Sequence, residues 1–523
     1  MPARNSKIRR RLRMNVLNDR PALGRRALLA GAAALPAALA LPAARAQEGP
    51  RTLAIGVVSD PVTLDPAFSG SFFENQVLYN LHETLLVAAP DGSISPGLAS
   101  FTQPDPQTYA FTLREGLTFH DGTRLDAAAA KANIDRYLDP AVGSIRRADF
   151  GPVREVAVTG PLTFELRLSA PYAPLPLVLT NRAGMMVSPT AVKALGADFA
   201  AKAVGCGPWK LASWTKNAEL VLEKFDGYWR GQEHGFDRLL FRPLPDETVR
   251  LANLRSNTLQ LIDSVPPQAV ATLGREAALR VSQMPSLGFN AFAFNCTRAP
   301  FDDPRLRQAF TAAVDPAVIQ RVVYFGTGRP AAGPLSPAVP WAFDAELPLR
   351  GGKPEEAKAL LKQAGANEPV PVAITVTNSP AMVRIAQILQ AQAGAAGFKV
   401  EVRQIDPTSL ITVLRQRDFD LCMAPWSGRY DPDGNMFNYF TKGGPNNFAG
   451  YDSEEVTGLL QKARTIADQA ERAKLYQQAQ RRIAEDAPML FLHFDAIIQA
   501  SSAKLTWTQY PDAVFRLYGA KLG

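Results

Sequence analysis

Ten of the chain's 57 Lys and Arg residues, but only one of its 49 acids, fall within residues 1–46. That segment sets the conditions under which the rest must fold. It has an Arg-rich start, the adjacent Arg25 and Arg26, an Ala/Leu run from Ala27 to Leu41, and Ala44, Arg45, Ala46, which is the order of an export signal cut after Ala46. The apolar run is too short to cross a bilayer core of roughly 30 Å, which needs about 20 residues. Paired arginines ahead of a weakly hydrophobic run read as a twin-arginine signal, whose translocase accepts folded cargo; Sec export is the alternative. Met14 is an alternative start. No cysteine sits at the cleavage point to take a lipid, so a soluble periplasmic protein is expected.

Without this leader, 47 basic and 48 acidic residues remain among 477. The pI of about 9.3 for the whole chain therefore belongs to the leader, and no positive excess is left to imply nucleic acid or a membrane surface. A chain of this length exceeds one core of about 100 to 200 residues, so two or three domains are expected. Cys206, Cys296 and Cys422 are odd in number and far apart, allowing at most one internal disulfide and favouring buried thiols. The four histidines are scattered. His82 and Glu83 begin a zinc-protease pattern, but Leu86 stands where its second histidine would be, so no metal site and no cofactor is expected.

Alternating apolar residues mark half-buried strands at Leu53, Ile55 and Val57, at Tyr109, Phe111 and Leu113, at Phe164, Leu166 and Leu168, and at Leu220 and Leu222. Asp91-Gly92 and Asp121-Gly122 supply turns between such segments. Pro354 to Ala364 has the acids, basic end and following Gly365 of a helix. A longer helical stretch is expected from about Ser453 to Glu485, with Val456, Leu459, Leu460 and Ala463 on its inner face and Arg464, Arg472, Lys474 and Arg481 in solvent. Pro330, Gly333, Pro334, Pro337 and Pro340, between Phe325 and Arg350, predict an irregular surface connection.

Several blocks resemble the family 5 extracytoplasmic solute-binding proteins, the peptide, nickel and oligosaccharide receptors of ABC importers. They are Thr63–Pro66 (TLDP), Leu78–Leu86 (LYNLHETLL), Gly92–Ala99 (GSISPGLA), Tyr109–Asp126 (YAFTLREGLTFHDGTRLD), Val204–Trp229 (VGCGPWKLASWTKNAELVLEKFDGYW), Phe294–Asp315 (FNCTRAPFDDPRLRQAFTAAVD), Phe419–Asn435 (FDLCMAPWSGRYDPDGN) and Asn446–Tyr451 (NNFAGY). Each block alone is only moderately specific; their occurrence in family order over nearly the whole mature chain carries the resemblance.

That resemblance implies an α/β, two-lobed periplasmic binding protein fold with crossing hinge strands and an extra domain beside lobe one. Domain I would comprise 47–83, 201–285 and 489–523, domain II 84–200 and domain III 286–488, with Gly288–Phe294 and Met489–Phe494 as the crossing strands. It implies a monomeric receptor that delivers a peptide-like or other small polar solute to ABC permease subunits. A receptor for haem or a metal chelate is an alternative. An exported hydrolase is another, although the chain has no Gly-x-Ser-x-Gly elbow. A ligand cleft needs aromatic surface and a few placed polar groups. Trp426, Ser427, Arg429 and Tyr430 meet that need, as do Ser69, Ser71 and Phe72 after the TLDP block and Ser286 and Leu287 before the first crossing. Asp431, Pro432, Asp433 and Gly434 read as a turn. Arg429 departs from the family: in the oligopeptide and dipeptide receptors this position resembles that of an aspartate meeting the ligand's α-ammonium. A cation here would favour a carboxylate, phosphate or polyol, unless it pairs with Asp431 or Asp433.

Overall fold

The computed structural model describes residues 50–523, apart from Gln232 and Glu368. The leader and its cleavage point lie outside the described residues. Thr52–Val57 is the fourth strand of a seven-stranded sheet ordered Leu279–Pro285, Ala496–Ser502, Leu261–Ile262, Thr52–Val57, Arg238–Pro243, Glu219–Lys224 and Trp209–Thr215. It runs parallel to both of its neighbours, with Leu53 opposite Leu239 and Ile55 opposite Phe241. Leu53, Ile55 and Val57 enter one core with Trp209, Leu220 and Leu222, while Ala54 enters another with Leu254 and Ile262 on the opposite face. The alternation therefore marks a strand buried on both sides, as parallel strands are, rather than a half-buried one.

An antiparallel four-stranded sheet follows, ordered Ala99–Asp105, Thr108–Leu113, Thr163–Leu168 and Val153–Val158. Its inward alternation is as the sequence predicts: Tyr109, Phe111, Leu113, Phe164, Leu166 and Leu168 are all buried. Phe111 stacks on its cross-strand partner Phe164 with ring centres 5.1 Å apart. The Ala-rich helix Ala127–Leu138 covers this core, and Asp126 starts it by accepting the Ala129 N–H at 2.9 Å.

The third sheet has six strands, ordered Arg329–Pro330, Met489–Phe494, Asn290–Phe294, Leu421–Met423, Val370–Thr377 and Phe398–Ile405. The chain passes between the first and third sheets twice. Leu279–Pro285 of the first leads through residues 286–289 to Asn290–Phe294, and Met489–Phe494 leads through Asp495 alone to Ala496–Ser502. The two passages pair on either side of the junction, with Val281 opposite Ala500 in one sheet and Ala291 opposite Phe491 in the other. Met489–Phe494 thus belongs to the third sheet and Ala496–Ser502 to the first. Both segments are apolar, and only strand pairing separates them.

The helix Pro354–Ala364 ends at Gly365 in the left-handed region, as its sequence requires. The expected long helix is two, Glu454–Thr465 and Gln469–Asp486. Asp468 makes the break by capping the second, accepting the Glu471 N–H at 2.8 Å. Lys474 and Arg481 are exposed, but Arg472 is buried and Arg464 half-buried, a correction to the solvated face explained by the acids they meet below. The Phe325–Arg350 connection is irregular, yet Ala331, Leu335, Val339 and Ala342 are buried in the core of the second lobe, so it is not a surface segment. All three cysteines are free. Among the described residues no helix is long and apolar enough to cross a membrane.

Candidate functional site

The loop after the strand Leu421–Met423 lies against the first passage between the sheets. Trp426 exchanges both backbone hydrogen bonds with Phe289, its N–H donating at 2.9 Å and its carbonyl accepting at 3.0 Å. This approach needs glycine on each side. A Cβ on Gly288 would stand 1.8 Å from the Trp426 carbonyl oxygen, and one on Gly428 (φ +80°) would stand 2.1 Å from the Leu287 carbonyl carbon.

Asn435 then folds back to order the loop. Its Oδ1 accepts from Trp426 Nε1 at 2.8 Å and from the Arg429 N–H at 2.7 Å, and its Nδ2 donates to the Arg429 carbonyl at 2.8 Å. The Trp426 ring packs on Tyr439 at 5.2 Å and carries the Arg429 guanidinium at 4.5 Å. Ser427 is exposed, Trp426 and Arg429 half-buried and Tyr430 buried. The Tyr430 hydroxyl has no hydrogen-bond partner among the described residues, and burial pushes it well above the usual phenol range.

Asp431, Pro432, Asp433 and Gly434 do more than turn the chain. Asp431 caps the helix Pro432–Phe440 and holds the buried Arg472 through both oxygens at 2.8 and 3.0 Å. Asp433 lies 2.8 Å from Arg464 Nε, although that N–H does not point along the line and makes no hydrogen bond. Burial, opposed by Arg464, pushes the Asp433 carboxyl up to about 7. Arg464 also lies over Phe437 at 3.6 Å and Tyr172 at 5.0 Å, and its carbonyl accepts the Ala173 N–H at 2.7 Å. Tyr172 and Ala173, which follow the four-stranded sheet, thereby touch the helix Glu454–Thr465 directly. With both acids engaged elsewhere, Arg429 pairs with neither; its Nη1 donates to the Gly428 carbonyl at 2.6 Å and, weakly, to Ser427 Oγ at 3.4 Å.

The segment after the TLDP block forms a second cluster of the expected residues. Ser69 is fully buried, and its hydroxyl donates to Glu74 Oε2 at 2.6 Å; the same carboxylate accepts the Ser71 N–H at 3.0 Å. Ser71 and Phe72 are half-buried, and Phe72 meets Phe73 edge-on. Two residues not anticipated from sequence, Arg182 and Arg146, brace this segment. Arg182 Nη1 donates to the carbonyls of Ser69 and Ser71 and to Ser69 Oγ at 3.0–3.1 Å. Ile145 and Ser144 both donate to the Ala67 carbonyl, bringing Arg146 alongside, where it pairs with Asp149 at 2.9 Å.

Burial and then the like charges of Arg146 and Arg429 bring Arg182 down to about 10. Arg429 is lowered too, by burial first, with Asp149 opposing that shift and Arg146 adding to it. Each of the two segments thus has a guanidinium group beside ring surface, Arg429 with Trp426 and Tyr430 in one and Arg182 with Phe72 in the other. Such an arrangement can hold an anion against an aromatic wall. Ser286 and Leu287 are buried in the passage itself. The Ser286 N–H donates to the Asp495 carbonyl at 2.9 Å and the Leu287 N–H to the Pro511 carbonyl at 3.2 Å, so their backbone ties the junction together. Burial raises the Cys296 thiol to about 11 and the Cys422 thiol to about 12, which keeps both protonated and poor nucleophiles at neutral pH.

The chain is similar to known proteins over most of its length. The family described as bacterial extracellular solute-binding proteins, family 5 Middle, matches residues 93–448. The glutathione-binding protein GsiB of Pectobacterium atrosepticum is 28% identical over 493 residues, covering 90% of this chain and 93% of GsiB. Among solved structures, the ABC transporter substrate-binding protein CtaP of Listeria monocytogenes superposes with a TM-score of 0.82 at 23% identity, over 90% of this chain and 99% of CtaP. The periplasmic binding protein AgaA of A. tumefaciens R10, in complex with agropinic acid, gives a TM-score of 0.76 at 26% identity, over 90% of this chain and 99% of AgaA.

Proposed function

This chain belongs to the bacterial extracellular solute-binding proteins of family 5, and from that premise we propose that it captures a peptide-like or other small polar solute in the periplasm and passes it unchanged to the permease subunits of an inner-membrane ABC importer. It works as a soluble monomer without a lipid anchor and without catalysing a reaction. The observation that carries the reading is the junction: two sheets between which paired strands continue from one to the other, with the Trp426 loop seated on that junction. Two paired strands resist sliding but bend about the short connection between their two ladders, which is the construction of a hinge.

On this reading lobe one comprises 50–83, 201–285 and 496–523, the accessory domain 84–200, and lobe two 286–494. Trp426, Ser427, Arg429, Tyr430, Ser71 and Phe72 meet the solute, while Ser69, Ser286 and Leu287 hold the walls in place. The similarity to GsiB makes glutathione the first solute to try. The test is native mass spectrometry of protein taken from its own periplasm, followed by tryptophan fluorescence with the recovered compound. A chemically intact bound solute that shifts the fluorescence is expected. Turnover of that solute into a product would overturn the proposal.

A further inference from the structure

We propose, building on the receptor reading and the domain division above, that the accessory domain is a clasp. It travels with lobe one and grips lobe two at Tyr172 and Ala173, so that this contact forms on closing, parts on opening, and sets how long a solute stays enclosed. Buried polar ties hold the accessory domain to lobe one. Arg136 donates to both oxygens of Asp65 at 3.0 and 2.5 Å, and the Asp65 side chain is 3% exposed. Arg182 Nη1 donates to the carbonyls of Ser69 and Ser71. His120 Nε2 donates to the Gly207 carbonyl at 3.0 Å, and the Tyr79 hydroxyl to the Thr180 carbonyl at 3.1 Å. Pulling a buried ion pair apart leaves uncompensated charge and is strongly disfavoured, so the accessory domain moves with lobe one.

The contacts between residues 84–200 and lobe two are of another kind. Among the described residues one backbone hydrogen bond crosses, from the Ala173 N–H to the Arg464 carbonyl at 2.7 Å. That carbonyl lies in the last turn of Glu454–Thr465, where carbonyls have no partner within the helix. The Arg464 guanidinium lies over the Phe437 ring of its own lobe at 3.6 Å and over the Tyr172 ring at 5.0 Å, and its Nε is 2.8 Å from Asp433. Leu177 packs against the core of lobe two. When the seam parts, water takes up both ends of the hydrogen bond, and Arg464 keeps Phe437 and Asp433, so opening strands no charge. The contact can therefore be broken and remade. It is also joined to the solute loop. A Cβ on Gly92 of the accessory domain would stand 3.5 Å from Tyr430 Cδ1, and the loop holding Trp426 and Tyr430 runs directly into Asp433. A solute that orders this loop thus orders the acid beside Arg464, and a ligand shifts a conformational balance only through contacts that differ between the two states.

The experiment spin-labels the exported protein in pairs at Val158 of the accessory domain, Val249 of lobe one and Ile411 of lobe two, all exposed. Distances are measured without solute, with glutathione, and with the small-molecule fraction of the cell's own periplasm. The Val158–Val249 distance should stay constant throughout. The Val158–Ile411 distance should be longer or broader without solute, and single and shorter with a probe that binds. Two variants weaken the clasp from the accessory side. Tyr172→Leu keeps an apolar side chain in its core but removes the ring, and Ala173→Glu drives a larger, acidic side chain into the seam from a half-buried position. Each should release the bound probe at least about threefold faster in stopped-flow fluorescence and lengthen the solute-free Val158–Ile411 distance; Ala173→Glu carries the test should Tyr172→Leu fail to fold. A Val158–Ile411 distance that holds while Val158–Val249 changes places the accessory domain with lobe two and overturns the inference. Release rates unchanged in both variants overturn it too, and either result leaves the receptor reading standing. If none of the three distances changes with either probe, the receptor reading fails and this inference with it.

Discussion

Replacing Arg472 with Met tests the network behind the cleft loop. Arg472 Nη2 reaches both oxygens of Asp431 at 2.8 and 3.0 Å and the Tyr476 hydroxyl at 3.1 Å, and its Nε donates to the Ala463 carbonyl at 3.0 Å. Both partners are almost entirely shielded, at 7% and 6% side-chain exposure. Methionine fills much of the same volume but leaves the Asp431 carboxylate with only its cap bond from the Asp433 N–H. Removing one member of a buried pair costs about 3 to 5 kcal/mol, because the other charge is stranded. The double variant Arg472→Met with Asp431→Asn removes the stranded charge and should recover at least half of the loss. The assay is urea unfolding followed by tryptophan fluorescence and circular dichroism together, since a two-lobed chain need not unfold in one step. A loss below about 1 kcal/mol, or a double variant no better than the single one, would refute the claim that this pair is buried and isolated from water.

Gly288→Ala should disturb the junction, because the new methyl would stand 1.8 Å from the Trp426 carbonyl oxygen; a loss of about 1 to 3 kcal/mol is expected in denaturant melts, and a neutral variant would show that the loop does not seat there. His82 is buried against the Leu64 carbonyl, and burial lowers its imidazole to about 4. The folded state therefore excludes the protonated form: the stability is present above the unfolded value of about 6.5 and is lost as pH falls toward 4. The advantage of wild type over His82→Gln should shrink across that window by up to about 3 kcal/mol, and a pH-independent difference in paired melts would contradict the burial. Trp426→Ala should cost about 1 kcal/mol or more in solute affinity through lost ring contact; unaltered affinity by calorimetry would place the ring in the core only.

The strands were legible because a two-residue period survives any tertiary context, and Tyr109, Phe111, Leu113, Phe164, Leu166 and Leu168 all face inward as that period requires. The period does not report how many faces are covered, so Thr52–Val57 read as half-buried. The arginines after Ser453 read as solvated because helical spacing reveals a face, not what lies opposite it; Asp431 is 41 residues from Arg472 in sequence. Trp426, Arg429 and Tyr430 were visible as a cluster of the right chemistry. Arg146 and Arg182 were not, because they reach Ser69 and Ser71 only through the folding of the accessory domain. Asn435 lies in a recognisable block, yet its task of tying Trp426 to Arg429 depends on the helix starting at Pro432.

The central claim is that two lobes bend about the passages at residues 286–289 and 495 to enclose a solute that leaves unchanged. Paired spin labels on an exposed residue of each lobe, such as Val249 and Ile411, measure this by electron–electron double resonance with and without the solute recovered from the periplasm. The account predicts a single shorter distance with saturating solute and a longer or broader distribution without it, with the solute recovered intact. An identical distribution in both conditions would contradict it.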